Sequence, residues 1–305
     1  MASAPLPDLR VRGTGELLDA SIKVWGANIK RLAVVTAALV LPFDVAGALV
    51  MKILRPTIFD EVKRVQDLAS KGVKSDLNLT TRMIVGAIAN VVIGSFGTVL
   101  VIVAMAFVVS GLYAANGRSA RSEAPPRAVI RAVLHRARRV LIAHVSTLLV
   151  AALVFIAFAV PIGVLGAFAD ISVLSVSAGI IGLLAMWIAI LSLHAGFPAI
   201  ATEGAGAVAA LRRAVQLTKK RRRMLMAAWL LFSLATVIPA AIVSGMVGSI
   251  LTGLGGGNQD FDFVWLGIAR TIADALCAPI AAIGVTYLYV NLRLLAGEPA
   301  FDEPA

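Results

Sequence analysis

Apolar residues collect in long runs along the chain, separated by shorter polar stretches that are mostly basic. A helix needs about 20 largely apolar residues to cross a hydrocarbon core about 30 Å thick. The first such run is Leu32 to Met51, opening LAVVTAALVLP and closed by Lys52 and Arg55. The second, Met83 to Tyr113, is bounded by Arg82 and Asn116-Gly117-Arg118 and is long enough to tilt or project beyond the bilayer. Between Val140 and Ile200 one apolar block is broken only around Gly163, Gly166 and Asp170. At a rise of about 1.5 Å per residue it is too long for one crossing, so it divides into antiparallel spans 140–168 and 171–200 that meet near Asp170. The fifth span, 224–251, ends at the glycine-rich loop Gly253–Gly257 with Asn258, and the sixth covers 263–295. The pattern predicts an all-α, polytopic integral membrane helical bundle of six spans, with an N-terminal segment 1–31 before them and an acidic tail 296–305 after them.

Three polar stretches also carry helical periodicity. Glu16 to Ile29 (ELLDASIKVWGANI) puts Leu17, Leu18, Ile22 and Trp25 on one face. Arg127 to Arg139 and Ala207 to Arg223 alternate apolar and basic residues in the same fashion. Such segments are expected as amphipathic helices in the headgroup region, where basic faces attract anionic lipid; the alternative is a solvated linker.

Composition agrees with the pattern. Of 305 residues 59% are hydrophobic and 15% charged, against roughly 25% charged in soluble domains. Mean hydropathy is +0.91, which excludes disorder and leaves too few charges to cover a soluble surface. The net charge of +11 would suit nucleic acid, anionic lipid or the positive-inside bias. The basic stretches lack interleaved aromatics and flank apolar spans, so no nucleic-acid partner is expected. The single cysteine, Cys277, makes no intrachain disulfide and no cysteine-based zinc site. The first apolar run begins too late and is too long for a cleaved signal peptide, and reads as an uncleaved span.

Orientation follows from lysine and arginine. Five lie in the N-terminal segment, seven in Arg118–Arg139 and seven in Arg212–Arg223, while the turns at Asp170 and 253–262 hold none. Both termini are therefore expected at the cytoplasmic side of a cell inner membrane. The 52–82 segment argues against this: it carries seven basic residues, partly offset by Asp60, Glu61, Asp67 and Asp76, yet lies outside in the six-span arrangement.

Catalytic signatures are missing from the sequence. It has no H-E-x-x-H motif and no G-x-S-x-G elbow, and its glycine cluster lacks the Gly-Lys-Ser/Thr of a phosphate loop. No enzyme activity, cofactor or metal is expected. Ionisable residues at membrane depth are the positive signal, because a charge in hydrocarbon needs a partner or a purpose. Asp44 lies about 12 residues into the first span, and Arg270 and Asp274 lie about 7 and 11 residues into the last from its other end. The three fall at similar depth, and Arg270 and Asp274 share a helix face. They read as an ion pair joining the first and last spans, or as a proton or substrate relay. His144 and His194 form a second pair by depth, as hydrogen-bonded packing residues or as a polar site. Asn90, four residues from both Gly86 and Gly94, marks a small-residue stripe for close helix packing. Pro42, Pro161, Pro239 and Pro279 fall within spans as sites of kinking. No clear repeat relates the halves of the chain, which weighs against a transporter built on one.

Arg212, Arg213, Lys219, Lys220, Arg221, Arg222 and Arg223 are concentrated on one short helix and its exit, with Glu203 the nearby acid. Repulsion at this density predicts counter-ions from anionic lipid or an acidic partner. The helix is expected flat on the membrane, with Ala207, Leu211, Val215 and Thr218 toward the acyl chains.

Three stretches carry a resemblance. The opening RGTGELLDASIKVWGANIKRLAVVTAALVLP, the central FPAIATEGAGAVAALRRAVQLTKKRRRMLMAAWLL and the closing GVTYLYVNLRLLAGEP resemble a bacterial membrane family. It is the membrane domain associated with some glycerophosphoryl diester phosphodiesterases, also found alone in many actinobacterial proteins. In that pattern a span ending in proline is followed by Glu-Gly, an Ala-Leu-Arg-Arg helix and a basic run. A tyrosine-rich last span then leads into Leu-Arg and an acidic tail. The resemblance implies topology rather than activity, since this sequence has no phosphodiesterase barrel with paired histidines and metal-binding carboxylates. Together these readings point to a non-enzymatic scaffold or accessory factor for envelope or lipid processes. Its expected partners are anionic membrane lipids and a membrane protein. The alternative is a small permease or lipid transporter using the intramembrane charges.

Overall fold

In the computed structural model, residues 6–71, 81–114, 125–168, 172–254 and 262–301 are described. Among them there is no strand, and the chain forms eight helices: α1 (Thr14–Ser70), α2 (Thr81–Ala114), α3 (Pro126–Phe168), α4 (Ser172–His194), α5 (Phe197–Thr202), α6 (Ala207–Thr218), α7 (Arg222–Leu254) and α8 (Asp262–Leu295). Asp170, the loop at 255–261 and the end of the tail at 302–305 lie outside the described residues. Six of the helices are long and apolar enough to cross a membrane, and they coincide with the six runs read from the sequence.

Helix ends depart from the sequence reading in a consistent way. Two of the amphipathic stretches are not separate helices. Glu16–Ile29 is the beginning of α1, and Arg127–Arg139 the beginning of α3. Nothing between them and the following apolar run stops a helix: no glycine cap or proline intervenes, so propagation continues. The leading segment of α1 buries Leu17, Ala20, Ser21, Val24 and Asn28 against the bundle rather than against lipid. The same helix runs past Met51 to Ser70, through much of what reads as a loop. Lys63 and Asp67, four apart, suit that extension. The third stretch, Ala207–Arg223, is divided: α6 stops at Thr218 and α7 starts at Arg222.

The chain packs around α8, whose apolar window is 78% buried within the bundle, against 6% for α3 and 11% for α7. Helices α1, α2 and α7 surround it, while α3 and α4 form a hairpin to one side, tied in through α2, α5 and α6. On the outside, Leu149, Leu153, Leu165, Leu234, Val237 and Met246 are exposed. Contiguous apolar surface of this extent is compatible with lipid and not with water. Within the core, hydroxyls bond to their own helix: Ser21 to the Leu17 carbonyl at 2.7 Å, Thr147 to Ala143 at 2.9 Å and Thr286 to Ala282 at 3.0 Å. Burial is thereby made tolerable without a partner helix. Pro279 removes a backbone donor from α8, and in the turn it opens the Trp25 indole donates to the Leu276 carbonyl at 2.9 Å. That bond pins the start of α1 against the middle of α8.

Candidate functional site

The intramembrane charges meet at a close approach of α1 and α8. A Cβ at Gly267 would lie 3.1 Å from the Val45 Cα and 3.5 Å from the Asp44 carbonyl oxygen, so a side chain there would push α1 back by a few tenths of an ångström. One helical turn on, Arg270 Nε is 3.3 Å from Asp44 Oδ1 and 3.8 Å from Asp274 Oδ2. The Thr271 hydroxyl lies 3.0 Å from Asp44 Oδ2 and 2.9 Å from the Gly267 carbonyl, sharing one proton between them. On α2, Gly94 leaves space for the guanidinium, whose Nη2 would be 3.4 Å from a Cβ there. The three residues grouped by depth are thus brought together, but in a half-open arrangement. The Asp44 side chain is 3% exposed, that of Asp274 31% and that of Arg270 49%. Asp274 also borders a cavity of about 240 Å³ between α2, α7 and α8, whose other polar linings include Thr98, Ser233 and Thr236. Chemically the arrangement can tie two spans together, and it can present one carboxylate to a small intramembrane solute.

Nearby, the stripe of small residues on α2 receives α1: the Leu54 side chain fills the space over Gly86, and Asn90 faces Gly47. The two histidines lie within electrostatic reach of each other, each with its own packing partners. His144 is fully buried, with Nε2 3.1 Å from the Ser95 hydroxyl and its ring against Phe96. His194 packs between Phe197 and Trp229. Among the described residues no hydrogen bond joins the two, and no group of three or more His, Cys, Asp or Glu is placed to hold a metal ion.

At the opposite end of α8 is a second polar assembly, which sequence reading missed. Gly297, at φ +79°, turns the chain back over the last helical turn, with its N–H to Leu294 at 3.0 Å and the Glu298 N–H to Arg293 at 3.0 Å. Only glycine takes this left-handed position readily. The reversal carries the Glu298 carboxylate onto two arginines: Arg213 Nη1 at 2.9 Å, with a second bond through Nη2, and Arg293 Nε at 3.5 Å. Glu203, which caps the C-terminus of α5, accepts from Arg293 Nη1 at 2.9 Å and from the Tyr289 hydroxyl, and lies 3.8 Å from Arg213. Burial by itself pushes the Arg213 guanidinium down; its bonds to Glu298 and Tyr289 and the charge of Glu203 outweigh this and raise it. Two acids, two arginines and a tyrosine from α5, α6, α8 and the tail so form one network. The resemblance segments held its members all along. Glu203 and Glu298 are far apart in sequence, and only the folded chain brings both to Arg213 and Arg293.

This corrects the reading of the basic run. Arg213 is turned inward and paired, and is not a lipid contact. Helix α6 buries Ala210, Ala214, Leu217 and Thr218 in the protein, so Thr218 is turned to the bundle rather than to its outer surface. Ala207 and Leu211 also pack on the core, leaving Val215 outward at 48% exposed. Gly196 sets this docking: a Cβ there would lie 2.4 Å from the Ala210 carbonyl oxygen. Arg212 is exposed on α6, and Lys219, Lys220, Arg221, Arg222 and Arg223 are exposed where α6 gives way to α7. No family model matches the chain, and neither a curated protein nor a solved structure matches it.

Proposed function

We propose that this chain is a non-enzymatic membrane protein that serves as a scaffold or accessory factor in envelope or lipid processes, with its basic end at the cytoplasmic face. The observation that carries the reading is the corner between α6 and α7. Five consecutive cations, Lys219 to Arg223, are all exposed there, beside helices whose flanks are apolar. Arg222 and Arg223 also open α7, where the helix dipole disfavours positive charge and the first N–H groups lack intrahelical partners. An anion relieves all of these at once, and anionic lipid is the abundant anion at an inner leaflet. The likeness to the phosphodiesterase-associated membrane domain is part of the same proposal, as a source of topology.

Purification in mild detergent tests it. The wild-type protein is expected to carry acidic phospholipid, with a content that falls as salt rises. Changing Lys219, Lys220 and Arg221 together to glutamine is expected to weaken retention of that lipid by up to about a hundredfold and flatten its salt dependence, at about 1 kcal/mol per charge. Unchanged lipid content and salt dependence would reduce the run to a topology signal. Orientation is tested separately in a Cys277→Ser background. Cysteine at Val208, a position 65% exposed, is expected to label from the cytoplasm, and cysteine at Gly256 from outside. Labelling of Lys71→Cys from the cytoplasm would overturn the six-span topology.

A second reading, a small permease or lipid transporter, is favoured by one observation: Asp274 lies at the rim of the cavity between α2, α7 and α8. A bound solute in that cavity would support it over the scaffold, and a stoichiometric protein partner would support the scaffold.

A further inference from the structure

A groove of about 620 Å³ lies between the α3–α4 hairpin and the corner where α6 meets α7. Its walls are apolar, from Val150, Phe158, Ile181 and Ile188 among others, and only one end is charged, where Lys219 and Arg222 border it. The volume is in the range of small-molecule sites, roughly 300–1,000 Å³. Along α4 the lining extends from Ile181 to Ser192 and Leu193, about 17 Å at helical rise, which is close to half of a hydrocarbon core of about 30 Å. An apolar slot as deep as one leaflet, with cations only at its membrane-surface end, has the polarity of a single phospholipid.

We infer that this groove binds one anionic phospholipid of the leaflet at the basic end, with an acyl chain along the apolar wall formed by α3 and α4 and the headgroup phosphate against Lys219 and Arg222. The inference rests on the proposed lipid-binding role and adds a site and a stoichiometry to it. Charge complementarity selects the occupant. Both cations are exposed, they stand where α7 offers its unpaired first-turn N–H groups, and no acid is among the groove linings. An apolar peptide would leave the cations without counter-charge. A zwitterionic lipid would partly fill the same slot but bring its own cation beside them.

Native mass spectrometry of the full-length protein, titrated with dioleoyl phosphatidylglycerol or dioleoyl phosphatidylcholine, tests this. One phosphatidylglycerol is expected to be retained ahead of all others, with phosphatidylcholine clearly weaker. The K219Q/R222Q pair is expected to weaken that first lipid by about tenfold or more. K220Q/R221Q, which removes equal charge outside the groove lining, is expected to leave it in place and to reduce only the looser, salt-sensitive lipids. Alanines 185 and 189 line the groove, so A189W, or the smaller change A185F should the tryptophan protein not remain monodisperse, is expected to expel the first lipid while the cations stay. Equal losses from the two charge pairs would overturn the groove while leaving the general basic face intact. No loss from any variant would overturn both. Retention of the first lipid in both A189W and A185F would show that it lies elsewhere.

Discussion

Replacing Arg270 by alanine is expected to lower the stability of the bundle by about 3–5 kcal/mol, the range for stranding one member of a buried ion pair. The loss comes from what remains behind. Asp44, 3% exposed, would keep the Thr271 hydroxyl but lose the guanidinium at 3.3 Å. The arginine is itself half exposed and gives up little on removal, so the cost is the uncompensated carboxylate. The double variant D44N/R270A is therefore expected to be more stable than R270A, since the amide places no charge in the apolar contact. D44N alone is expected to cost less, about 1–3 kcal/mol, because its amide still reaches Thr271. Asp274 is 31% exposed and its contact is longer, at 3.8 Å, so D274N is expected to change stability by about 1 kcal/mol or less. Thermal denaturation of detergent-solubilised protein, read by the surviving monodisperse fraction, gives the order. Equal melting of R270A and D44N/R270A would mean that the pair does not hold α1 to α8.

Glutamate 203 is the centre of the other assembly, and E203Q is expected to loosen α5 and α6 from the end of α8. It removes the charge facing Arg293, which is 3% exposed, and the second charge facing Arg213. A loss of about 3 kcal/mol is expected, since a buried guanidinium is left with Glu298 alone to balance two cations. Glu298 is more accessible, at 30% exposed against 16% for Glu203, so E298Q is expected to cost less. Hydrogen exchange separates this local effect from general unfolding. Amides in 207–218 are expected to exchange faster in E203Q while those in the middle of α8 keep their protection. Faster exchange throughout the bundle would mean that the network supports the whole fold rather than docking one corner.

What was legible beforehand follows from the physics of each feature. The six spans could be read because membrane crossing depends on apolar length, which is a property of contiguous sequence. The meeting of Asp44 with Arg270 and Asp274 was legible for a related reason. In a bundle of membrane helices depth is counted along the chain, and charges at equal depth have few alternatives to one another. His144 and His194 satisfied the same depth criterion and lie within electrostatic reach of each other, while His144 bonds Ser95 on α2 and His194 packs on Phe197 and Trp229. Depth leaves rotation about the helix axis undetermined.

Rotation and long-range partners are what tertiary structure decided. Arg212 and Arg213 are adjacent in sequence, but a step of about 100° along the helix leaves Arg212 exposed and sends Arg213 into the network with Glu298 and Glu203. The same geometry places Thr218 in the bundle and Val215 outside it. Which helix stands at the centre was also hidden, because each span is strongly apolar overall and its few polar residues do not say which face is central. Packing chose α8: its small residues, among them Gly267, admit α1 to backbone contact. The sequence by itself determined how many helices cross and which charges share a depth, since both are measured along one chain. The faces they turn to one another were decided only by the packed bundle, where close approach and paired charge outweigh the local pattern.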